Sequence, residues 1–290
     1  MQTILITGAT GNIGREVIES LVALNVKAEI IAAVRDIAKE KDTFMKFTHL
    51  SYRSYDFENP QTFKSAFKDV NTLFLLRPPH ISKVDKVFRP LLEIAKSSGI
   101  ERIIFLSVQG AEKSSLIPHN RIERLINEFG FDYIFVRPSY FMQNLTTALR
   151  DDITEHRRIV LPSKKAQFNW IDVKDIGLAT AHLIRDFATY KNQSFEITGS
   201  ENLNFKQVAD ELSRLISKKV EFQSINPFRF YFRKRREGLN HSFALVMTLL
   251  HSLPRLQEPP EITNDYKNIT GREPSTLQEF IHREKKALLP

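Results

Sequence analysis

Ile4 to Gly14, ILITGATGNIG, is the stretch whose reading decides the fold. Three apolar residues, Ile4, Leu5 and Ile6, run into a turn punctuated by Gly8, Gly11 and Gly14. Apolar residues then recur with helical spacing at Ile13, Val17, Ile18 and Leu21. Strand, glycine turn and helix in this order form the unit that binds a dinucleotide. Gly8 permits a tight turn, Gly11 lets the backbone approach a pyrophosphate that a Cβ would hold off, and Gly14 lets helix and strand pack closely. The free N–H groups of the first helical turn then face the anion. Two residues separate successive glycines, which departs from G-x-G-x-x-G, so the pattern takes its weight from the strand before it and the helix after it. Thr10, Asn12 and Ile13, which fill the turn, are expected to share the cofactor contact with the glycines.

Outward from this unit, apolar runs and helical patterns alternate. A second strand spans Ala28 to Val34, and a third runs from His49 to Tyr55, followed by a short helix from Pro60 to Phe67. Asn71 to Leu76 is an apolar strand that turns at Arg77, Pro78 and Pro79. A helix from Val84 to Ala95 leads to a strand from Arg102 to Val108. A helix from Arg121 to Phe129, apolar at Ile122, Leu125, Ile126 and Phe129, leads to a strand from Phe131 to Val136. Such alternation predicts an α/β fold, a doubly wound parallel sheet of the Rossmann type covered on both faces. Later, Phe168 to Ile171 reads as a short strand, Asp172 as the cap of a helix through Ile184, and Gln193 to Thr198 as a last strand of the main sheet. Asn204 caps a further helix, Val220 to Ile225 reads as a short strand, and the chain from Pro227 onward reads as helical. The expected division is a dinucleotide-binding domain over 1–155, completed by the strand near 193–198. A smaller, mostly helical C-terminal substrate lobe over 156–290 is not expected to fold independently.

Composition narrows the chemistry. Of 290 residues, 42% are hydrophobic, enough for a sizeable core, and the absence of cysteine excludes disulfides and thiolate catalysis. With the first strand starting at Gln2 and no apolar run near the roughly 20 residues of a membrane span, a cytoplasmic protein with no membrane partner is expected. The net charge of +8 raises nucleic acid as a ligand. The densest basic cluster, Phe228 to Arg236, reads instead as a helix with its aromatics in the core and its arginines solvated. Nucleic-acid binding is therefore not expected, and the charge also suits an anionic cofactor or substrate. The eight histidines show no metal-ligand spacing, so no metal is expected, and G-x-S-x-G, H-E-x-x-H and a P-loop lysine are absent.

The end of the second strand meets the adenosine ribose in such folds. Arg35, 21 residues past Gly14, stands where a cation pairs with a 2′-phosphate, which favours NADP(H) over NAD(H). The alternative is a surface turn in which Asp36 caps the next helix. Asp56 suits the adenine amino group, or caps the helix after it. The nicotinamide is expected across the ends of the fourth and fifth strands, at Leu76, Arg77 and Ser107. A carbonyl–alcohol reductase of the short-chain type needs Tyr and Lys four residues apart, and none of the seven tyrosines has that lysine. Ser107, His119 and Glu123 remain. His119 either binds the nicotinamide ribose or relays a proton, or is a capping or partly exposed histidine in an i,i+4 pair with Glu123.

Several segments, in order, resemble the NmrA-like atypical short-chain dehydrogenase/reductases. They are TGATGNIG (Thr7–Gly14), VRD (Val34–Asp36), FLSVQGAE (Phe105–Glu112), HNRIERLI (His119–Ile126), VRPSYFMQN (Val136–Asn144), WIDVKDIG (Trp170–Gly177), FEITGSENLNF (Phe195–Phe205) and NITGREPSTLQEFI (Asn268–Ile281). The resemblance implies a Rossmann domain with a small C-terminal substrate lobe, usually binding NADP(H). It also implies either a reductase or a non-catalytic redox sensor that binds a protein partner. Aromatic-ether reductases of the family carry a lysine at the position matched by His119, which departs from that mechanism, whereas the quinone reductases carry a histidine at the start of this helix. Phe141, Met142 and Asn144 are then expected on the substrate side, or as core packing in the case of Phe141 and Met142. The expected activity is hydride transfer from NADPH to a small quinone-like or aromatic carbonyl acceptor, with Ser107 or His119 polarising the acceptor oxygen.

Overall fold

The computed structural model describes residues 2–40, 44, 47, 50–81, 83–115 and 117–289. Its strands are β1 (Gln2–Ile6), β2 (Ala28–Val34), β3 (Leu50–Ser54), β4 (Thr72–Leu76), β5 (Arg102–Leu106), β6 (Asp132–Pro138), β7 (Tyr140–Phe141), β8 (Arg158–Leu161), β9 (Gln167–Ile171), β10 (Gln193–Ile197), β11 (Asn202–Asn204) and β12 (Glu221–Ser224). His49, where the third strand was expected to begin, lies outside the described residues; the strand is described from Leu50.

Seven strands form one sheet in the order β10-β6-β5-β4-β1-β2-β3, every neighbour parallel. The order reverses between β1 and β4, the switch point at which open α/β sheets bind ligands. Its helices are α1 (Asn12–Ala23), α2 (Val84–Ser97), α3 (Pro118–Glu128) and α4 (Val173–Arg185). α3 begins three residues earlier than its apolar spacing predicts, because Pro118 occupies the first turn, where its missing N–H costs nothing. The core on one face joins Leu73, Leu75, Phe88, Leu92, Ile103 and Phe105. α1 packs against α4 so closely that a Cβ on Gly177 would lie 2.7 Å from the Glu16 carbonyl carbon.

The chain divides into Met1–Pro138, Val173–Ile197 and Asn268–Gly271 as one unit, and Ser139–Asp172, Thr198–Lys267 and Arg272–Pro290 as the other. The first unit thus takes in Val173–Ile197, which includes the strand near 193–198, and Asn268–Gly271 besides its N-terminal segment. β10 pairs in parallel with β6, and α4 packs chiefly on α1, so both belong to the first unit.

The second unit combines helices with short strands. β9 lies between β11, antiparallel, and β7, parallel, while β8 pairs in parallel with β12. β7 and β11, of two and three residues, are too short to carry a period of two and left no signal, and β8 was not read either. The longer helices here are α5 (Phe205–Ile216), α6 (Pro227–Arg236), α7 (His241–Ser252) and α8 (Leu277–Arg283). α5 starts at the predicted cap: Asn204 Oδ1 accepts from the Gln207 N–H, and Gln207 Oε1 accepts from the Asn204 N–H. Trp170, Phe205, Leu212, Phe230 and Phe280 fill the core. In α6 Phe230 is buried and Arg229, Arg235 and Arg236 are exposed, as expected, but the other aromatics and Lys234 depart from that pattern. Phe228 and Phe232 are 76% and 57% exposed, and Lys234 is buried against Glu237 at 2.7 Å.

Candidate functional site

The glycine turn is shaped by close approaches that side chains would prevent. Gly8 has φ +60°, and a Cβ on it would lie 2.5 Å from Leu76 Cδ2. The Gly11 N–H donates to the Gly8 carbonyl at 2.9 Å and closes the turn. A Cβ on Gly14 would stand 2.2 Å from that same carbonyl oxygen. The Thr7 hydroxyl donates to the Phe74 carbonyl at 2.9 Å and accepts from the Leu76 N–H at 3.2 Å, which joins the turn to the end of β4.

Gly11 caps α1 without a side chain, and the first turn holds no acid. The N–H groups of Asn12 and Ile13 therefore have neither an intrahelical nor a capping acceptor, and the positive end of the helix is uncompensated. Asn12 is exposed, Thr10 half-buried and Ile13 buried, so Ile13 offers its backbone and not its side chain. These features fit a pyrophosphate, which needs open N–H groups, a close backbone and no competing carboxylate.

At the adenosine end, Arg35 follows β2, exposed and without an ion pair among the described residues. Asp36 closes the next turn, accepting from the N–H groups of Ala38 at 3.0 Å and Lys39 at 3.3 Å. Its carboxylate is thereby committed, while the Arg35 guanidinium is not. Asp56 accepts from the Glu58 N–H at 3.0 Å, and Asn59, not Asp56, starts the helical segment that follows.

At the other end of the sheet edge stand Arg77, Ser107 and His119. Arg77 donates through Nη1 to the carbonyls of Pro78 and Pro79, both at 3.3 Å, and of Ile81 at 2.5 Å. Its Nε is buried with no hydrogen-bond partner, and no carboxylate pairs with it among the described residues. His119 sits in the first turn of α3, its ring 6.0 Å from that of Phe105. Burial, and secondarily the Arg77 charge, push its pKa down to about 3, so the imidazole is neutral throughout the physiological range.

Glu123 does not pair with His119. Its carboxylate accepts from the Ser107 hydroxyl at 2.6 Å and from Arg137 twice, Nε at 3.0 Å and Nη2 at 2.7 Å. Arg137 also reaches Glu112 at 2.7 Å and Glu196 at 3.8 Å. Burial raises Glu196 to about 6, against the lowering bond from the Gly110 N–H. A buried carboxylate takes the nearest fork of donors, and the Arg137 guanidinium offers two where a neutral imidazole offers one. Ser107, its O–H donating to Glu123, has only its lone pairs left to offer and acts towards other groups as an acceptor. Arg137, Glu112 and Glu196 were not foreseen as part of this cluster. The available signal was a lone arginine ending the apolar run Ile134–Val136, which must find a carboxylate to be buried.

Phe141, Met142 and Asn144 lie in the second unit. Phe141 is half-buried at the end of β7, opposite Ile171. Met142 is buried in that unit's core, so its side chain offers no surface. Asn144 is half-buried, and the Tyr140 hydroxyl meets His251 Nε2 at 2.9 Å.

The NmrA-like family model matches residues 1–280. Over 279 residues the chain is 26% identical to prestalk A differentiation protein A of Dictyostelium discoideum, covering 96% of this chain and 91% of that one. It is also 26% identical over 281 residues to an NAD(P)H azoreductase of Xenophilus azovorans, covering 96% of each. The crystal structure of the NADPH-dependent quinone oxidoreductase of Escherichia coli complexed with NADPH superposes with a TM-score of 0.83 at 23% identity, covering 97% of this chain and 99% of the other. The chain belongs to the NmrA-like family.

Proposed function

We propose that this chain is an NADPH-dependent oxidoreductase that passes hydride to a small quinone-like or aromatic carbonyl acceptor. The observation that carries the reading is the acid-free, uncapped start of α1 behind the glycine turn, on the same sheet edge as the unpaired Arg77 cation and the neutral His119. When bound, the nicotinamide supplies the hydride. Gly8, Gly11 and Gly14 hold the pyrophosphate, Arg35 the 2′-phosphate, and Leu76 and Ser107 flank the nicotinamide end. Hydride addition leaves negative charge on the acceptor oxygen. Arg77, with no carboxylate paired to it among the described residues, stabilises that charge, and His119 donates a hydrogen bond as a neutral imidazole. A quinone gains a phenolate in this step, whose charge is delocalised, so it needs no strong protein acid. That suits a site without the Tyr/Lys pair.

A second reading is a dinucleotide sensor that binds a protein partner without turnover. It is favoured by the missing Tyr/Lys pair and by the commitment of the Ser107 hydroxyl to Glu123.

Arg35→Ala tests the cofactor assignment. Loss of a charge-assisted phosphate pair is expected to weaken NADPH roughly tenfold to a hundredfold and to leave NADH within about twofold. Titrating both cofactors against wild type and variant measures it. Equal weakening of the two would contradict the phosphate role.

A further inference from the structure

Eight of the ten exposed large apolar side chains among the described residues fall between Phe228 and Leu256, in the α6–α7 hairpin and the turn after it. Such a concentration is a surface that expects a partner. None of it is used by the cofactor site.

The two helices expose different chemistry. At about 100° per residue, Phe228 and Phe232 sit about 40° apart at the centre of the exposed arc of α6. Arg235 stands about 20° to one side of them, and Arg236 and Arg229 about 40° and 60° to the other. All five are exposed, while Phe230 and Lys234 face the core. Beyond the first turn of α7 the exposed positions Leu245, Val246, Leu249 and Leu250 are all aliphatic, as is Leu253 just after the helix, and Ala244, Met247 and His251 face inward. The Tyr231 hydroxyl meets His241 Nδ1 at 2.7 Å and ties the two helices together.

Charge selects the occupant. From Pro227 to Leu253 the sequence holds five Lys and Arg and one acid, Glu237. Glu237 is engaged by Arg233 at 2.8 Å and Lys234 at 2.7 Å. Arg229 and Arg236 have no partner among the described residues, and Arg235 donates only to the Leu239 carbonyl at 2.6 Å. A second copy pressed on this face would bring unpaired arginines against arginines. A nucleic acid would leave the aliphatic face of α7 unmatched. The boundary of an anionic bilayer answers both: leucines and phenylalanines enter the acyl edge, while arginines beside them extend to phosphates.

We infer that the α6–α7 hairpin seats this protein on the surface of a membrane rich in anionic lipid. No helix of the described residues is long and apolar enough to cross a membrane, and the expectation of no membrane partner rested on that criterion. A hairpin lying in the interface plane is not subject to it.

Cosedimentation of the full chain with vesicles tests this, using phosphatidylcholine alone and an equimolar mixture with phosphatidylglycerol. Binding to the mixed vesicles is expected, weakening as salt rises. The R229Q/R235Q/R236Q variant is expected to bind the mixed vesicles roughly a hundredfold more weakly, at about 1 kcal/mol per arginine. L249E/L253E, both at exposed positions, is expected to lose binding to both compositions. Urea midpoints and near-ultraviolet circular dichroism confirm that the variants are folded. No binding of wild type to mixed vesicles, or equal binding of wild type and the arginine variant, would overturn the proposal. So would a concentration-dependent dimer that L249E/L253E dissociates in the absence of any vesicle binding.

Discussion

Gly14→Ala is expected to remove measurable NADPH binding at concentrations that saturate the wild type, a loss of at least roughly a hundredfold. The added Cβ would stand 2.2 Å from the Gly8 oxygen, 2.7 Å from its carbonyl carbon and 2.9 Å from Ala9 Cα. All three are backbone atoms, so no side chain can swing aside. The turn must open, the Gly11-to-Gly8 hydrogen bond goes with it, and the N–H groups of Asn12 and Ile13 lose their aim. Overpacking of this kind also costs about 1–3 kcal/mol of stability. Gly11→Ala separates the two effects. Its Cβ would meet only the Gly8 oxygen, at 3.2 Å, so the fold should survive while the approach to a pyrophosphate is filled. Isothermal titration with NADPH, paired with urea unfolding, reads both. Unchanged affinity in Gly14→Ala would remove the glycine turn from the account.

Arg137→Met is expected to destabilise the first unit by about 3–5 kcal/mol, the cost of leaving a buried carboxylate without its cation. Glu123 is 5% exposed, and its two oxygens take both Arg137 bonds and the Ser107 hydroxyl. Without Arg137 the carboxylate must protonate or draw in water, and Ser107 loses the partner that fixes its proton. Adding Glu123→Leu to Arg137→Met should recover much of the loss, since an apolar pair carries no desolvation penalty. Urea-induced unfolding monitored by circular dichroism gives the values. A single substitution costing under about 1 kcal/mol would show the network to be peripheral.

Where the sequence carried a period or a cap, it was read closely. β2 spans Ala28–Val34 as predicted, Asn204 caps α5, and the strand near Gln193 joins the main sheet. These features are local: apolar alternation, a turn with three glycines, a side chain that bonds its own backbone. Pairings between distant residues were not legible. Glu123 lies one turn from His119 on the same helix, which suggested a partnership, yet Ser107 and Arg137, 16 and 14 positions away, hold it. β8 was missed because its four residues are recognisable as strand only once β12 lies beside them. In α6 the spacing of Phe228, Phe230 and Phe232 cannot place all three on one helical face, so the expectation of a fully buried aromatic set contradicted its own helix.

The central claim, hydride transfer from NADPH to an aromatic acceptor at this sheet edge, is tested most directly by following NADPH absorbance. The protein is mixed with a panel of benzoquinones, naphthoquinones and aromatic aldehydes from about pH 5 to pH 8. The account predicts acceptor-dependent NADPH consumption with at least one quinone. Because His119 is already neutral, with its pKa pushed down to about 3, the saturated rate should not fall as pH rises through the ordinary histidine value of 6.5. Saturable NADPH binding with no acceptor consumed at any pH would contradict it, and would leave the sensor reading in its place.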